Sequence, residues 1–580
     1  MFRIRKILNP YLPVNEHEIK QVQAIIQSQF PDIAKEKVAT IPDQLINPLK
    51  YQYKTMLFIA DDHDGRVKGC ALMLYMPDLS FCYLDFLAVS PGRTSSGVGG
   101  ALYERIREEA DSLDINGLFM ECLPDDSDNC PDEEIRKQNA KRLAFYERYG
   151  ARPITGTRYE TPVKPEDTCA PFLVFDGLGS HDEIGAQKLK LIVRAILERK
   201  YGDYCPEDYI RMVVGSIIDD PAQLRPFQYQ KKLQNGVFRT SLSERKKIFW
   251  VINDRHSIHH IRERGYVESP VRVETIRKSL EPTGWFSKGT PSSYPEKIIR
   301  DVHDAGYMNY IRKVCKNLPA GKSVYPYVFP IRNGAHPPKD LTVRAGYYCI
   351  DTFTPLNQNA YLAARHGVNC TLTAADELLS GRSLAYVLTR PPGHHAEHNV
   401  FGGFCYFNNS AIAAHYLSEL GRVAILDIDY HHGNGQQQIF YESSDVLTIS
   451  IHGHPSFAYP YFSGFVNEKG KHHGEGFNYN FPLDEEISTE KYRQTLMKTL
   501  EIIRKFSPVY LIVALGFDTA KDDPTGTWKL TASDFEQNGI LIGQLRIPTL
   551  FMQEGGYNNR RLGTNARQFF KGVQKGFFGQ

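Results

Sequence analysis

The sequence predicts an α/β protein built from two parts, and three observations lead to this prediction. In the last third of the chain, four apolar runs typical of buried strands are each followed by glycine and acidic or histidine residues. Stretches with helical periodicity alternate with these runs, which favours a doubly wound parallel sheet. In the first 160 residues, successive strand-like runs lead into a glycine-rich turn and a helix, which indicates a second α/β domain.

The four predicted strands of the larger part are short and apolar throughout, as expected for strands covered on both faces. They are Leu384–Leu388, Val423–Ile428, Val509–Leu515 and Thr549–Met552. The polar segments that follow them are 391–395, 427–435, 516–518 and 554–558. The carboxyl ends of parallel strands border one crevice, so we expect the four segments to meet there.

A candidate metal site lies in these segments. Asp429, His431 and Asp518 offer one imidazole nitrogen and two carboxylate oxygens. Three protein ligands leave one position open for water or a substrate carbonyl, as a catalytic zinc ion requires.

Three further side chains in the segments suit acid–base chemistry. His394 and His395 are candidate general bases because the pKa of an imidazole lies near neutrality. Tyr557 follows two glycines that allow a tight turn, and its hydroxyl can donate to a developing oxyanion.

Together, the segments resemble the arginase–deacetylase superfamily, specifically the zinc-dependent histone-deacetylase-like amidohydrolases. Residues 346–348, 426–435 and 554–557 are most similar to bacterial acetylpolyamine amidohydrolases, and the resemblance covers about residues 245–575. It implies that Asp429, His431 and Asp518 bind zinc and that His395 acts as general base and then as acid.

The resemblance also implies roles for neighbouring residues. His394 would be the electrostatic partner of His395, held by Asp427, and Tyr557 would polarise the scissile carbonyl. Gly403, Phe404 and Tyr459 would line a tunnel for an acyl-lysine-like chain. A structural potassium ion is implied near Asp427, Asp429, His431, Ser450 and Ile451.

Asn434 occupies a position where some members of the family carry an aspartate behind the second of the tandem histidines. A neutral amide orients an imidazole without strongly stabilising its cation. We therefore expect His395 to remain neutral more readily, as a general base must.

The first part of the chain contains a candidate cofactor loop. After the predicted strands Met56–Ala60, Val67–Met76 and Phe81–Val89, residues 89–102 form a glycine-rich turn that opens a helix. Its backbone N–H groups can hold a pyrophosphate, although such glycines also suit close packing.

The order of elements from about residue 15 to residue 160 resembles the GNAT acetyltransferase fold. The loop is similar to the acetyl-CoA motif of that family, and the residues it implies for cofactor binding are Val89, Thr94, Ser95, Gly97, Gly99 and Gly100. Thr94 and Ser95 depart from the usual arginine or glutamine and glycine. Tyr146 matches the tyrosine that often protonates the coenzyme A thiolate, with a core aromatic as the alternative. Asp85 or Glu121 is a candidate general base.

Composition and charge limit the partners and the compartment. The chain has 580 residues, a net charge of +2 and ten cysteines without a C-x-x-C pair. The charge suggests neither a nucleic acid nor an anionic membrane as partner. The cysteines are typical of free thiols in a reducing compartment, and no signal peptide or membrane span is recognised, so we expect a cytoplasmic protein.

Substrate choice is predicted from charge. Between residues 305 and 345 the chain has one acidic residue, Asp340, and seven basic ones. The basic residues are Arg312, Lys313, Lys316, Lys322, Arg332, Lys339 and Arg344. In polyamine-specific relatives this segment borders the site, where a basic segment would repel a cation. Tyr348 stands where lysine deacetylases usually have an aspartate, so neither substrate class fits fully.

The sequence therefore predicts a bifunctional enzyme with three regions: a GNAT-like domain over 1–220, a linker over 221–244 and a zinc amidohydrolase over 245–580. The first domain would use acetyl-CoA to acetylate an amine, and the second would hydrolyse an acylated amine. Three points stay open: an N-terminal domain that only binds acetyl-CoA or a protein, an arginase-like two-metal ureohydrolase, and assembly as a homodimer.

Overall fold

The chain forms two compact units in a computed structural model, Met1–Ser243 and Glu244–Gln580. The structure describes residues 2–7, 9–31, 33–62, 65–91, 97–113, 115–127, 129–163, 170–179, 183–202, 204–229, 246–263, 265–329 and 338–579.

The described part of the first unit contains a seven-stranded mixed sheet with the order β1-β2-β3-β4-β5-β7-β6. Its strands are β1 (Arg3–Ile7), β2 (Lys54–Asp61), β3 (Val67–Met76), β4 (Phe81–Val89), β5 (Leu118–Cys122), β6 (Arg152–Pro153) and β7 (Phe172–Asp176). Neighbouring strands are antiparallel except β4 and β5, which are parallel.

Helices cover both faces of this sheet. They are α1 (Pro13–Gln29), α2 (Lys35–Ala39), α3 (Ile41–Ile46), α4 (Pro48–Tyr51), α5 (Val98–Ser112), α6 (Glu133–Glu147), α7 (Ala186–Arg199) and α8 (Glu207–Gly215). One face packs against α5 and α6. On the other face, α1 to α3 cover one end of the sheet and α7 and α8 cover the other.

Strands β4 and β5 separate part-way along their length. They pair only from Cys82–Leu118 to Leu84–Met120. At this point the register of β4 with β3 shifts, because Leu72 pairs with Phe86 while Met73 pairs with Leu84. Asp85 is thus the extra residue of a β-bulge, which bends a strand and increases its twist.

The second unit is built on an eight-stranded sheet, counted over the described residues, with the order β15-β14-β13-β16-β17-β12-β8-β9. All neighbouring strands in it are parallel. Its strands are β8 (Ile248–Ile252), β9 (Phe286–Gly289), β12 (Leu384–Leu388), β13 (Val423–Asp427), β14 (Val446–Gly453), β15 (Asn478–Leu483), β16 (Tyr510–Leu515) and β17 (Thr549–Gln553). A separate two-stranded ladder joins β10 (Ser323–Val324) and β11 (Leu356–Asn357).

Successive side chains of the central strands enter two different hydrophobic cores. In β12, for example, Ala385 and Val387 lie in one core, and Leu384 and Tyr386 lie in the other. Helices cover both faces, so every residue of β12, β13, β16 and β17 is buried. The helices are α9 (Val271–Leu280), α10 (Lys297–Arg300), α11 (Ala305–Asn317), α12 (Ala360–Leu379), α13 (Asn409–Ser418), α14 (Asn434–Phe440), α15 (Thr489–Phe506), α16 (Ala532–Gly543) and α17 (Leu562–Phe578).

The predicted fold class is confirmed: an α/β unit with a mixed sheet is followed by a doubly wound unit with a parallel sheet. The four predicted site strands agree with β12, β13, β16 and β17 to within one residue at each end. Within the range predicted as a linker, Arg225 and Tyr229 contact Asp125 of the first unit at 2.7 and 2.5 Å.

Two further observations concern the described residues of both units. No helix there combines the length and the apolar character needed to cross a membrane. The nine cysteines within the described ranges are all buried free thiols.

Candidate metal centre and cofactor loop

Three side chains from two strand ends form a compact donor cluster. Asp429 and His431 follow β13, and Asp518 follows β16, its direct neighbour in the sheet. Nδ1 of His431 lies 3.2 Å from Oδ1 of Asp429 and 3.2 Å from Oδ2 of Asp518. An imidazole nitrogen can carry only one proton, so it cannot donate to both carboxylates at full strength.

The backbone holds each carboxylate in place. Oδ2 of Asp429 accepts from the Gly555 N–H at 2.8 Å, and Oδ1 of Asp518 accepts from the Tyr430 N–H at 2.9 Å. The other oxygen of each carboxylate is the one near His431. Both carboxylates are fully buried, so the cluster is pre-organised by strands that the hydrophobic cores fix.

The buried negative charge of this cluster favours the binding of a cation. Burial and the neighbouring Asp429 raise the pKa of Asp518 above its usual range. Burial opposes protonation of His431, but its hydrogen bonds to Asp429 and Asp518 outweigh burial and raise its pKa to about 9. Two buried carboxylates without a lysine or arginine contact are costly unless a cation neutralises them.

The donor set fits zinc. Ligands bound at about 2.0–2.1 Å to a tetrahedral zinc ion lie about 3.3 Å apart, which matches the separations at His431. His394, Cys405 and Glu554 form a second group with ligand spacing among the described residues. There, however, Glu554 already accepts from the Gly393 N–H at 2.7 Å, and burial raises the pKa of the Cys405 thiol.

The tandem histidines follow β12 and lie beside the donor cluster. The rings of His394 and His395 are 3.9 Å apart, and the ring of His395 is 6.0 Å from that of His431. Nδ1 of His394 lies 3.0 Å from Oδ2 of Asp427. Burial alone would lower the pKa of His394, but Asp429 and Asp427 outweigh it and raise the pKa to about 10.

The proton position on His395 follows from its hydrogen bonds. Nδ1 of His395 lies 2.7 Å from Oδ1 of Asn434, and Nδ2 of Asn434 donates to Oε1 of Glu397 at 2.8 Å. Glu397 therefore fixes the orientation of the amide, so that its oxygen faces His395 and Nδ1 carries the proton. Nε2 keeps its lone pair, and burial together with His394 and His431 holds the pKa of His395 well below its usual range.

Tyr557 is held from both sides of its backbone. Asp523 Oδ2 accepts from the Tyr557 N–H at 2.7 Å, and Arg272 Nε donates to the Gly556 carbonyl at 2.7 Å. Gly556 has φ +108, a left-handed conformation that favours glycine. The guanidinium of Arg272 also lies 4.5 Å from the centre of the Tyr557 ring.

Aromatic rings surround these groups. The ring of Phe404 is 5.9 Å from that of Tyr557, and the ring of Tyr459 is 4.8 Å from that of His395. Phe353 contacts both Phe404 and Tyr459 at 5.5 Å and is 41% exposed, which places it at the solvent side. A Cβ at Gly403 would lie 2.0 Å from the His395 ring, so only glycine fits there.

Comparison with known proteins identifies this unit. Residues 266–573, more than half of the chain, match the model of the histone deacetylase domain. The chain belongs to the histone deacetylase family. Residues 19–151 match the model of the acetyltransferase (GNAT) family.

Several relatives of the histone deacetylase domain are known. Acetylpolyamine amidohydrolase 2 of Pseudomonas aeruginosa is 37% identical over 341 residues, which cover 56% of this chain and 99% of the relative. Acetylpolyamine amidohydrolase of Mycoplana ramosa is 36% identical over 313 residues, which cover 53% and 92%. The crystal structure of an acetylpolyamine aminohydrolase from Burkholderia pseudomallei is 35% identical, covers 57% of this chain and 99% of that one, and has a TM-score of 0.54.

The residues implied for a potassium ion also lie close together in the histone deacetylase domain. Asp427 pairs with Ser450 in the register of β13 and β14, and Ile451 follows in β14. Ser450 Oγ lies 2.8 Å from Nδ1 of His452, which is fully buried.

The GNAT unit shows part of the predicted cofactor loop. Val89 ends β4, Gly97 is the N-cap of α5 with φ +76, and Gly99 and Gly100 lie in the first turn of α5. A Cβ at Gly99 would only touch Val89 at 3.5 Å, so packing does not require glycine there. Thr94 and Ser95 lie outside the described residues.

Tyr146 lies on α6 in the core beneath α5. Its ring contacts that of Tyr103 at 4.9 Å, and burial raises its pKa above the ordinary range. Of the two base candidates, Asp85 pairs with Lys200 at 2.5 Å, and Glu121 accepts from two tyrosine hydroxyls.

Sequence reasoning missed four residues of the deacetylase site. They are Arg272, Asp351, Glu397 and Asp523. Asp351 Oδ2 accepts from the Gly403 N–H at 2.6 Å and from the Tyr459 hydroxyl at 3.0 Å, so it fixes both predicted tunnel residues. Glu397 and Asp523 lie within a few residues of His395 and Asp518, a proximity that would have drawn attention to them.

Proposed function

We propose that residues 245–580 form a zinc-dependent deacetylase that hydrolyses the amide of N-acetylated amines. The observation that supports this most directly is the donor cluster of Asp429, His431 and Asp518, with a neutral His395 ring 6.0 Å from that of His431. A zinc ion held by these three residues supplies Lewis-acid polarisation of the amide carbonyl.

The residues of the chain then divide the proton transfers among them. Nε2 of His395 takes a proton from the attacking water, since Nδ1 is committed to Asn434. The Tyr557 hydroxyl donates to the oxyanion, and burial, which raises its pKa well above its usual range, keeps it protonated for this purpose. His395 then returns the proton to the departing amine nitrogen.

His394 has a different role. It is held by Asp427, whose Oδ2 also accepts from Gln436 Nε2 at 2.5 Å. The Asp427 and Asp429 carboxylates favour a positive His394, and a positive His394 disfavours a second charge on His395. His394 thereby keeps its neighbour in the basic form before attack.

The aromatic walls suit an extended alkyl chain. The walls consist of uncharged aromatic rings, those of Phe353, Phe404 and Tyr459. The relatives are named for acetylpolyamines, and a linear acetylated amine fits such a passage. Acetylated lysine and acetylated diamines share that linear chain and are the two substrate classes we propose.

For the first unit we propose transfer of an acetyl group from acetyl-CoA to an amine. Its support is the match of residues 19–151 to the GNAT family, the left-handed Gly97 at the start of α5 and the absence of a packing reason for Gly99.

One experiment tests both activities on the full chain. The zinc-loaded protein is incubated with acetyl-lysine peptides and with acetylated diamines, and free amine is measured; acetyl-CoA consumption is measured separately with unacetylated amines. Acetate release that EDTA abolishes and zinc restores is expected. No release from any of these substrates by a protein that contains zinc would overturn the deacetylase proposal.

A further inference from the structure

A partly buried polar cluster lies on the first unit at the point where β4 and β5 separate. Asp85 is the bulge residue of β4, and Glu121 is the first residue of β5 beyond its last pair with β4. The hydroxyls of Tyr159 and Tyr201 each donate to Glu121 at 2.6 Å. Two carboxylates are thus presented at the opening between the strands.

An ammonium group of the chain itself fills this cluster. Nζ of Lys200, just after α7, lies 2.5 Å from Oδ1 of Asp85 and donates to the Tyr83 hydroxyl at 3.1 Å. The same nitrogen lies 4.3 Å from the ring centre of Tyr83 and 4.6 Å from that of Tyr201. A carboxylate, a hydroxyl acceptor and two ring faces are the groups that recognise an alkylammonium ion.

Strand β4 carries Asp85 of this cluster and ends at Val89 of the cofactor loop. From Asp85 to Val89, β4 extends about 13 Å at about 3.3 Å per residue, and Gly97 and α5 follow. On the face that carries α5 and α6, the sheet is filled by a hydrophobic core. Tyr83, Tyr159 and Tyr201 belong to the opposite face, so an amine held in the cluster reaches β4 without crossing the core under α5 and α6.

We propose that Asp85, Glu121, Tyr83, Tyr159 and Tyr201 form a binding site for a primary alkylammonium ion, and that Lys200 occupies this site in the folded chain. This inference rests on the proposed acetyltransferase role of the unit and adds to it: an acceptor amine must displace the Lys200 ammonium before it can bind at this position. Lys200 is itself no acceptor, because Asp85 keeps its nitrogen protonated and without a lone pair.

Chemical rescue tests the site on the full chain. Lys200→Ala removes the atoms from Cγ to Nζ, which n-propylamine replaces atom for atom. We expect n-propylamine to raise the Tm of the Lys200→Ala variant and to bind it at least tenfold more tightly than it binds the wild type. n-Propanol, which has the same size and no charge, should do neither.

Two further variants make the result decisive. In Lys200→Ala/Asp85→Asn, which lacks the carboxylate that Lys200 contacts and keeps only Glu121, the response to n-propylamine should be weaker than in Lys200→Ala. Lys200→Met removes the ammonium group, but its side chain still fills most of the space that Lys200 occupies. It should lose thermal stability like Lys200→Ala, and n-propylamine should raise its Tm less than that of Lys200→Ala. An equal response of the wild type and Lys200→Ala, or none in a folded Lys200→Ala, would overturn the proposal.

The test needs neither zinc nor acetyl-CoA, so it separates this inference from the proposed function. If Lys200→Ala binds n-propylamine, and neither this variant nor the wild type consumes acetyl-CoA with any amine tested, the ammonium site stands and the transfer reaction is refuted. Deacetylase activity of the second unit should stay within twofold in all these variants, which checks their overall integrity.

Discussion

The amide oxygen of Asn434 lies 2.7 Å from Nδ1 of His395, while the amide nitrogen of the same side chain donates to Glu397. This chain of two hydrogen bonds determines which nitrogen of His395 can accept a proton. The amide of Asn434 is also uncharged, whereas an aspartate at this position would place a negative charge beside the His395 ring.

Asn434→Asp should therefore raise the pKa of His395. A carboxylate within hydrogen-bond distance typically shifts a pKa by about one to three units. Since the base must be neutral, we expect the acidic limb of the kcat/KM–pH profile to move to higher pH by roughly one unit or more. In the double variant Asn434→Asp/Glu397→Gln, the amide of the new glutamine can donate a hydrogen bond to the new aspartate, so two carboxylates do not face each other. A limb that stays in place or moves to lower pH in the double variant would contradict this role.

Asp518→Ala should abolish hydrolysis and lower the bound zinc. The substitution removes one of the three proposed ligands and leaves Asp429 and His431, which are too few for a stable catalytic site. Metal content by elemental analysis and acetate release are measured together. The matched control is Asp484→Ala, an exposed aspartate in the same unit, which should retain both. Full zinc occupancy and normal turnover in Asp518→Ala would refute the ligand assignment.

Tyr557→Phe should lower kcat by about 10²–10³, the usual effect of removing one oxyanion donor. The ring stays, so its contacts with Phe404 and Arg272 persist, and zinc content and Tm should be unchanged. Tyr461→Phe changes an exposed hydroxyl nearby and serves as control. A kcat within threefold of the wild type, a difference of about 0.6 kcal/mol, would exclude Tyr557 as the donor.

Gly99→Leu should block acetyl-CoA binding while deacetylation continues. A leucine side chain in the first turn of α5 occupies the space through which a pyrophosphate would approach the backbone. Calorimetry with the full chain measures binding. Gly215→Leu is the control for helix substitution as such, because Gly215 is an exposed helical glycine where an added Cβ would meet no atom within 4 Å. Unchanged affinity in Gly99→Leu would leave the loop without a cofactor role.

The basic segment at 305–345 should disfavour a second positive charge on the substrate. Two unit charges 4 Å apart near a surface repel by about 4 kcal/mol at an effective dielectric constant of 20, and salt screens this beyond roughly 10 Å. We expect a higher kcat/KM for an acetyl-lysine peptide or a neutral acylated amine than for acetylputrescine or acetylspermidine. N-butylacetamide and acetylputrescine have the same chain length and differ in the terminal ammonium, so their ratio isolates charge.

The structure qualifies this expectation in one respect. Within the described part of the segment, Arg312 lies 3.4 Å from Glu296, which neutralises part of its charge. The ratio of kcat/KM for N-butylacetamide to that for acetylputrescine should fall as salt is added. A clear preference for acetylputrescine at low salt would contradict the charge argument and would agree with the names of the bacterial relatives.

Much of the second unit could be predicted because its strands are apolar runs with abrupt polar ends. Leu384–Leu388 matches β12 at both ends, since Thr389, Arg390 and Pro391 follow the apolar run. The first residue of α16 was harder to predict from the sequence. Ser533 and Glu536 match a capping box, but Thr531 and Asp534 form it in the structure, and the two patterns overlap in the same six residues.

Contacts between distant segments could not be predicted from local patterns. Arg272 lies 285 positions before Tyr557, and the packing of α9 against α17 brings its guanidinium to the Gly556 carbonyl. His452 is fully buried, because β14 carries it into the interior beside Ser450. Helix α6 begins at Glu133 with a charged first turn that Asp132 caps, although its first buried side chain is that of Asn139.

The order of the strands has a consequence for how hydrolytic competence arises. β12 and β13 follow one another in the chain, yet β17 and β16 lie between them in the sheet. A chain in which these two strands have not yet joined the sheet holds the tandem histidines and two of the three proposed metal ligands, but neither Asp518 nor Tyr557. Under the proposed function such a chain would not cleave amides, and the appearance of activity during refolding would report that the last gap in the sheet has closed.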